Sequence, residues 1–434
     1  MRILFLSNFY PPYEHGGYEQ LCREVADGLA EQGHEVAVVT SDYGADDRSA
    51  PDSGIFRVLH TEVDMRPYRG QLDFFFNRKQ RLKETLSRFE EVVDAFKPEI
   101  LFVWSMWNLP RELLIQAEGR PELKVVYYLA DYWPTLPDAY TLHWQERPRR
   151  GYLALPKRLL AKIALAGHPG YNVPGQNLSG LLKFKYAFCV SAAVRLHLVE
   201  AGFPLQNAQV IYNGIDLGPF LRAGQRRDWQ PALDELSLVY AGRLAENKGV
   251  HTAIEGVDRL IRQGRRVRLT LVGSGPAEYI ARLQELSRQL GVSDRINFYG
   301  AVPREQMPEL MARFDVLVFP SIWQEPLARI VQEAMAIGLV VVGTEVGGMK
   351  EILQDGVNGL TFPAGDADAL AGCVAQLMDR PELHSSFAEA GRRMVVEKFD
   401  LQRMIAEVER RLQDIQRGQD ENPLSFPVVP VSAE

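Results

Sequence analysis

Short apolar runs alternate with helical patterns along almost the whole chain. The run RILFLS near the N-terminus predicts a buried strand. Leu21, Val25 and Leu29 then recur at helical spacing until Gly33 supplies a stop, and HEVAVVT predicts the next strand. Alternation of this kind is typical of parallel sheets whose strands are connected by helices. Two further strands of the same series are predicted near residues 100–103 and 125–129.

A second series of predicted strands begins at LSLVYAG and continues through VRLTLVG, RINFYG, DVLVFPS and LVVVGT. Between the two series lies VIYNGIDLGPF, whose Asn-Gly and Gly-Pro pairs are typical of a linker. We therefore predict an α/β protein of two Rossmann-like, doubly wound parallel-sheet domains that face a cleft. The predicted N-terminal domain is residues 1–215 and the predicted C-terminal domain is residues 216–398. Residues 399–418 predict a final helix, and the Pro-rich residues 419–434 have too little pattern to predict order.

Composition narrows the class of protein. A chain of 434 residues, 46% hydrophobic and 24% charged, fits two globular cores. The net charge of -7 argues against general nucleic-acid binding, which usually requires a basic surplus. Three scattered cysteines without CxxC spacing favour neither a disulfide framework nor a zinc site. Because the apolar N-terminal run is too short for a signal peptide and no run has transmembrane length, we expect a cytoplasmic protein.

Cations and glycines follow two of the predicted strands. Arg243 and Lys248, with Gly249 beside them, come after LVYAG, and the carboxyl end of a parallel strand is where such domains bind ligands. A diphosphate would suit two cations, although two solvated surface cations are the simpler alternative. Gly16 and Gly17 open the helix after the first strand, where backbone N–H groups can approach an anion; a plain turn is the alternative.

A nicotinamide cofactor is disfavoured by the glycine spacing. In LVGSGPAE, the third glycine of the GxGxxG fingerprint is replaced by Glu278, and the loop after the first strand does not fit that spacing either.

Glu325 and Glu333 are eight positions apart in EPLARIVQEAMA. Pro326 is suited to the first turn of a helix, so we predict Glu325 at or beside the N-cap and Glu333 two turns inside. A regular helix would separate them by about 12 Å along its axis. Two carboxylates at that distance can bind the hydroxylated ends of an elongated ligand with an anionic middle, which is the shape of a nucleotide sugar. The alternative for Glu333, an exposed helix residue, is weakened by its apolar neighbours.

In these segments the chain resembles the retaining glycosyltransferases of family 4, which have the GT-B fold. The motifs that carry the resemblance are EPLARIVQEAMA with its E-x7-E pattern, GRLAENKG, VIYNGID, GAVPREQMPELMARFDVLVFPS, GGMKEIL and DGVNGL. The resemblance implies that Glu325 contacts the donor sugar, Glu333 the ribose, Arg243 and Lys248 the diphosphate, and Gly17 the distal phosphate. It also implies that GGMKEIL supplies backbone N–H groups near the ligand and that the final helix crosses back onto the N-terminal domain. The implied catalytic residues are Glu325, Arg243, Lys248 and Asp131, and the implied donor-binding residues are Gly16, Gly17, Arg243, Lys248, Val302, Glu325, Pro326, Leu327, Ala328 and Glu333.

Two positions depart from the family pattern. Ala130, in YYLADYWP, stands where the family usually has a histidine near the reactive sugar, and Ala328 stands where it usually has glycine. The lost imidazole leaves three alternatives open: altered donor preference, lower activity and no activity. Ala130 keeps open a non-catalytic nucleotide-sugar binding protein as a rival function, and a nucleotide-sugar epimerase of the same fold is the nearest enzymatic rival.

The implied reaction moves a sugar, with retention, from a UDP- or GDP-sugar to a glycan, lipid-linked or small-molecule acceptor. We expect no cofactor and no metal, since the DAD pattern at residues 366–368 follows FPAG near a helix start and is more simply a cap. The basic run at residues 147–163 holds six cations and no acid, with leucines interleaved. Peripheral contact with an anionic membrane and a solvated basic helix are equally open interpretations of this run.

Overall fold

The chain forms two parallel β-sheets, each covered by helices. The computed structural model describes residues 1–13, 16–44, 54–63, 71–145, 154–165, 181–226 and 235–419. The first sheet has the strand order β3-β2-β1-β4-β5-β6-β7 and the second has the order β10-β9-β8-β11-β12-β13. All strand pairs within these sheets are parallel. The predicted fold class is therefore confirmed.

The first sheet is formed by the N-terminal half of the chain. Its strands are β1 (Arg2–Ser7), β2 (Glu35–Ser41), β3 (Ile55–Leu59), β4 (Ile100–Ser105), β5 (Lys124–Leu129), β6 (Tyr186–Cys189) and β7 (Gln209–Val210). The helices of this half are α1 (Gly17–Glu31), α2 (Gln71–Phe96), α3 (Glu112–Glu118), α4 (Ala139–Gln145), α5 (Ala154–Leu165) and α6 (Ala192–Glu200).

The second sheet follows the predicted linker. Its strands are β8 (Leu236–Ala241), β9 (Val267–Val272), β10 (Ile296–Gly300), β11 (Val316–Phe319), β12 (Val340–Gly343) and β13 (Gly359–Thr361). The helices are α7 (Leu217–Gln225), α8 (Val250–Arg262), α9 (Ala277–Gln289), α10 (Met307–Met311), α11 (Arg329–Ile337), α12 (Ala367–Asp379), α13 (Glu382–Lys398) and α14 (Leu401–Arg417).

The polypeptide passes between the two halves twice, and the two passages lie side by side. The amide of Ile215 donates to the carbonyl of Phe399 (2.9 Å), and the amide of Leu401 donates to the carbonyl of Ile215 (3.0 Å). The first passage lies at Gly214, where an added Cβ would be only 2.6 Å from the Cα of Leu401. This contact fixes the point at which the chain returns to the N-terminal half.

Helix α14 packs on the N-terminal half after this return. Ile405 on its buried face lies against Gly28 of α1, which has no side chain to block the approach. His34 Nε2 is 2.9 Å from Glu409 Oε1, and Lys124 Nζ donates to the carbonyl of Ile415 (3.0 Å). The predicted crossing of the final helix onto the N-terminal domain is therefore confirmed.

Candidate functional site

Glu325 and Lys248 meet at the carboxyl edge of the second sheet. Glu325 lies in the segment that leads from β11 into α11, and Lys248 ends a short 3-10 helix that follows β8. Because β8 and β11 are neighbours in the sheet, their carboxyl ends are adjacent. Lys248 Nζ is 2.6 Å from Glu325 Oε1, and the Ser321 hydroxyl donates to the same oxygen at 2.5 Å. The structure thus joins one predicted carboxylate to one predicted cation.

The predicted start of α11 is wrong. The helix begins at Arg329, and Ala328 is its N-cap in an extended conformation (φ −83°, ψ 115°). Pro326 therefore lies before the helix, and Glu333 is the fifth residue inside it. Since residues 325–328 are not helical, the axial separation of about 12 Å that a regular helix would give does not apply.

A glycine turn holds the Glu325 segment in its extended form. Gly348 donates its amide to the carbonyl of Glu325 (2.7 Å), and a Cβ on Gly348 would be 1.9 Å from the carbonyl oxygen of Pro326. Gly347 has φ +59° and a Cβ there would be 2.3 Å from the Glu325 carbonyl oxygen. One backbone amide of the GGMKEIL segment is thus engaged in a hydrogen bond within the protein. These tertiary contacts explain why the helix begins later than the proline predicts.

Gly249 anchors the Lys248 loop to the same segment. Its φ is +64°, and a Cβ would lie 1.9 Å from the carbonyl oxygen of Pro320, so only glycine fits. The carbonyl of Asn247 accepts from the amides of Ile322 (3.1 Å) and Trp323 (3.0 Å). The loop that carries Lys248 is therefore bonded directly to the segment that carries Glu325.

Arg243, the second predicted cation, lies two residues beyond the end of β8 and is exposed. Its carbonyl accepts from the Tyr240 hydroxyl at 2.7 Å, which fixes the backbone at the strand end. Arg243 and Lys248 thus share one strand end, and the long guanidinium side chain extends from an ordered backbone.

Glu333 marks the opposite end of the candidate site. It is buried, and Arg304 Nη2 lies 3.9 Å from its Oε1. Burial raises the pKa of Glu333, while the guanidinium groups of Arg329 and Arg304 oppose that rise. The alternative of an exposed helix residue is therefore wrong. Val302 is half-buried two residues before Arg304, and its side chain packs against the core.

Gly16 and Gly17 face the start of α11 from the N-terminal half. Gly16 is the N-cap of α1 and Gly17 is its first residue, as the sequence predicts, and both are exposed. The carbonyl of Gly17 accepts from Arg329 Nη1 at 3.0 Å. The amino end of α1 therefore lies beside the amino end of α11.

The segment that follows β5 faces the Glu325 segment across the cleft. The Tyr132 and Trp323 ring centroids are 6.1 Å apart, and burial with the nearby carboxylate of Glu325 raises the pKa of Tyr132 to about 12. Asp131 accepts from the amide of Trp133 at 2.9 Å. Desolvation raises the pKa of Asp131 to about 6, although that hydrogen bond and the charge of Arg111 act in the opposite direction.

Three residues of the site were not predicted. These are Glu24, Arg304 and Arg329: Glu24 contacts both arginines, and Arg304 also lies close to Glu333. Arg329 stands inside the E-x7-E segment, so a cation between the two glutamates was the available signal.

Three further findings concern predicted features outside the cleft. The cap interpretation of the DAD pattern is confirmed, because the Asp366 side chain accepts from the amide of Ala369 (2.9 Å) at the start of α12. Among the described residues, no cluster of three or more His, Cys, Asp or Glu side chains is arranged to hold a metal ion. None of the helices in the described part of the chain combines the length and apolar character needed to cross a bilayer.

Comparisons with known proteins match both halves of the chain. The family model "Glycosyltransferase Family 4" matches residues 15–218, and the model "Glycosyl transferases group 1" matches residues 222–394. The glycogen synthase of Mycobacterium tuberculosis is 26% identical over 99% of this chain and 98% of its own length. The alpha-D-kanosaminyltransferase of Streptomyces kanamyceticus is 31% identical over 39% of this chain, a match that spans 43% of that relative.

A solved structure gives the same architecture. HepE from Anabaena in complex with UDP-glucose superposes with a TM-score of 0.66 and 19% identity, over 95% of this chain and 100% of that one. The two family matches adjoin each other and follow the division between the two sheets. The chain therefore belongs to the family 4 type of glycosyltransferases and has their two-domain GT-B fold.

Proposed function

We propose that this glycosyltransferase moves a sugar, with retention, from a nucleotide-diphosphate sugar to a hydroxyl of a glycan, lipid-linked or small-molecule acceptor. The observation that carries the proposal is the contact between Lys248 and Glu325 at 2.6 Å, with Glu333 at the other end of the same segment and Arg304 beside it. A carboxylate beside a cation suits the junction of a sugar and its phosphate, where hydroxyls and negative charge are adjacent. The complex of HepE with UDP-glucose supports this class of donor.

Two cations would stabilise the leaving group in this reaction. Lys248 and Arg243 share the end of β8, and their charges would offset the charge that develops as the bond from the sugar to the diphosphate breaks. Glu325 would accept hydrogen bonds from hydroxyls of the donor sugar. The departing phosphate oxygen would take the proton of the acceptor hydroxyl, which attacks the same face of the sugar and so retains its configuration. This reaction needs no side-chain nucleophile, and we propose that it needs no metal.

The donor can be identified by thermal shift with UDP-, GDP- and ADP-sugars, followed by product analysis with and without EDTA. We expect one class of nucleotide sugar to raise the melting temperature and transfer to be unchanged by EDTA. Glu325→Ala should abolish most of the transfer while the far-UV circular dichroism stays that of the wild type. Unchanged turnover in this variant would contradict the proposed role of Glu325.

Two rival functions make different predictions for the same experiment. An epimerase would convert the donor in the absence of any acceptor, so its product would carry the original nucleotide. A non-catalytic binding protein, which Ala130 suggests, would bind the donor without transfer and without slow donor hydrolysis. Ala130 is half-buried beside Asp131, so the histidine that the family usually has there would occupy the same side of the cleft.

We also propose that the enzyme works at the cytoplasmic face of a membrane through the basic run. Residues 147–153 lie outside the described residues, whereas the remainder of the run falls in α5. Leu159 is 58% exposed and Leu160 is 42% exposed on this helix. Exposed leucines next to cations suit a surface that inserts shallowly among anionic lipids, and a lipid-linked acceptor would be presented there.

A further inference from the structure

An ion-pair cluster, formed by Glu24, Arg304, Arg329 and Glu333, joins the two domains beside the proposed donor site. Glu24 is on α1 of the N-terminal domain, and the other three residues belong to the C-terminal domain. Arg329 Nη2 is 2.8 Å from Glu24 Oε2, and Arg304 Nη2 is 3.2 Å from Glu24 Oε1. Arg304 Nη2 is also 3.9 Å from Glu333 Oε1. One carboxylate of the N-terminal domain thus contacts two cations of the C-terminal domain.

The side chain of Arg329 is largely enclosed within the cluster. Its side chain is 10% exposed, and its Nη1 donates to the carbonyl of Gly17 at 3.0 Å. Its Nε has no hydrogen-bond partner among the described residues. Desolvation lowers the pKa of Arg329, and Glu24 opposes this effect. Because removal of one partner leaves a buried charge uncompensated, a pair of this kind is far more costly to break than a surface pair.

The contact with Gly17 places the cluster at the amino ends of α1 and α11, beside the proposed donor site. Gly17 is the first residue of α1, and Arg329 is the first residue of α11. A Cβ on Gly17 would lie 3.7 Å from Arg329 Cδ, so the two residues are already in close contact. Arg329 therefore spans the gap between the amino ends of two helices, and each end favours negative charge.

We propose that Glu24 and Arg329 form an interdomain positioning pair that holds the amino end of α1 at a fixed distance from the amino end of α11. This inference rests on the proposed function, with Gly17 at the distal phosphate of the donor as the resemblance to the family implies. The pair then sets the spacing between that contact and the groups of the C-terminal domain that hold the rest of the donor.

Arg304 connects the interdomain pair to Glu333. Its guanidinium lies between Glu24 and Glu333, and Glu333 is the proposed partner of the ribose. Arg304 therefore places the cluster between the interdomain contact and Glu333.

The pair can be tested with Glu24→Gln, Arg329→Gln and the double variant. Each single variant should lower kcat/KM for the donor by at least about tenfold, and the double variant should be little worse than either, because both changes remove the same interaction. Arg23→Gln is the matched control, since the exposed Arg23 pairs with Asp27 on the same helix (3.4 Å) and not with the cluster. The control should keep wild-type kinetics.

Nucleotide binding separates positioning from a general loss of structure. The variants should bind the nucleoside diphosphate more weakly than the wild type, whereas binding of the monophosphate, which lacks the distal phosphate, should be unchanged. An equal loss of affinity for both nucleotides, or additive losses of kcat/KM in the double variant, would overturn the proposal. If Arg329→Gln does not fold, Arg329→Lys keeps the charge and should show the same selective loss to a smaller extent.

Small-angle X-ray scattering tests the positioning pair independently of the proposed function. The radius of gyration of the Arg329 variant should exceed that of the wild type and of Arg23→Gln, because the domains are no longer held together at this edge. An unchanged radius would overturn the positioning pair even for an active enzyme. Failure of the wild type to bind any nucleotide sugar would instead contradict the proposed function.

Discussion

At the scale of single residues, the lack of a side chain at Gly348 allows the glycine turn to contact the Glu325 segment. In Gly348→Ala, the added methyl group would lie 1.9 Å from the carbonyl oxygen of Pro326 and 2.9 Å from Ser191 Oγ, so the backbone must move. Displacement of a catalytic group by about 1 Å can cost about 100-fold in rate. We therefore expect kcat to fall by about that factor while the protein stays folded, as measured by transfer kinetics and circular dichroism.

Gly372 supplies the control for this substitution. It lies inside α12, and a Cβ there would have no atom of the described residues within 4 Å. Gly372→Ala should keep full activity and gain about 0.5–1 kcal/mol of stability from helix propensity. Equal kinetics for the two alanine variants would show that the contact at Gly348 is not needed.

Asp131 makes the second residue-scale prediction. Its pKa is raised from 3.8 to about 6, so the folded state retains a proton that the unfolded state releases between these values. The contribution of this group to stability is therefore complete below pH 3.8 and is lost as pH rises through 6. Asp131→Asn should be more stable than the wild type at pH 7.5, by on the order of 2 kcal/mol. The stability advantage of the Asn variant should shrink at pH 4.5, where Asp131 is mostly protonated in the folded state.

Denaturant unfolding at the two pH values measures this difference. The Asn variant should also lose transfer activity if the carboxylate acts near the reacting sugar, so that stability and activity change in opposite directions. A stability difference that is the same at both pH values would show that burial does not raise the pKa of Asp131.

At the scale of elements, the double passage at Gly214 and residues 399–401 sets the position of α14. A Cβ at residue 214 would meet backbone atoms, the Cα of Leu401 at 2.6 Å and the carbonyl oxygen of Asp400 at 2.7 Å, and neither can move as a side chain can. Gly214→Ala should therefore destabilise the protein by about 1–3 kcal/mol, the usual cost of overpacking. Denaturant unfolding measures the loss, and Gly372→Ala is again the control. A denaturant midpoint of Gly214→Ala equal to that of the wild type would mean that the two passages can separate freely.

The elements also show how far the sequence determines the fold. The predicted strands of both series are present. Most of them are buried runs of apolar residues with clear flanking signals, whereas β10 has only one buried residue. The strands β3, β6, β7 and β13 were not predicted, since they have only two to five residues and too little pattern to be recognised. The start of α11 was predicted from Pro326, but contacts with the glycine turn at residues 347–348, more distant in the chain, override that local signal.

Some contacts of the candidate site could likewise be predicted from the sequence, and others could not. The pairing of Glu325 with Lys248 follows from two strand ends that the topology makes adjacent. The pairing of Glu24 with Arg329 joins residues 305 positions apart, on different domains, and depends on how those domains are oriented. Local pattern contains no information about such an orientation, so the chemistry of the site could be predicted from sequence but the interdomain contact could not.

At the scale of the whole molecule, the charge is unevenly distributed. The chain has a net charge of -7, yet residues 147–162 hold six cations and no acid. In the proposed membrane contact, attraction to anionic lipid would depend on this one segment, and the acidic remainder of the chain would be repelled. The exposed Leu159 and Leu160 of α5 would add a contact that salt does not screen.

Liposome flotation tests whether this segment brings the enzyme to a membrane. We expect the protein to float with vesicles that contain anionic phospholipid and to remain below neutral vesicles, because the cations supply most of the attraction. Leu159→Asp with Leu160→Asp should abolish flotation, since both side chains would then carry charge into the interface, while transfer to a small water-soluble acceptor stays at the wild-type rate. Raising the ionic strength from 0.1 M to 1 M, which shortens the screening length from about 10 Å to about 3 Å, should release most of the bound protein. Protein that remains at the bottom of the gradient with anionic vesicles would identify the run as a solvated basic helix, and the acceptor would then have to reach the cleft from solution.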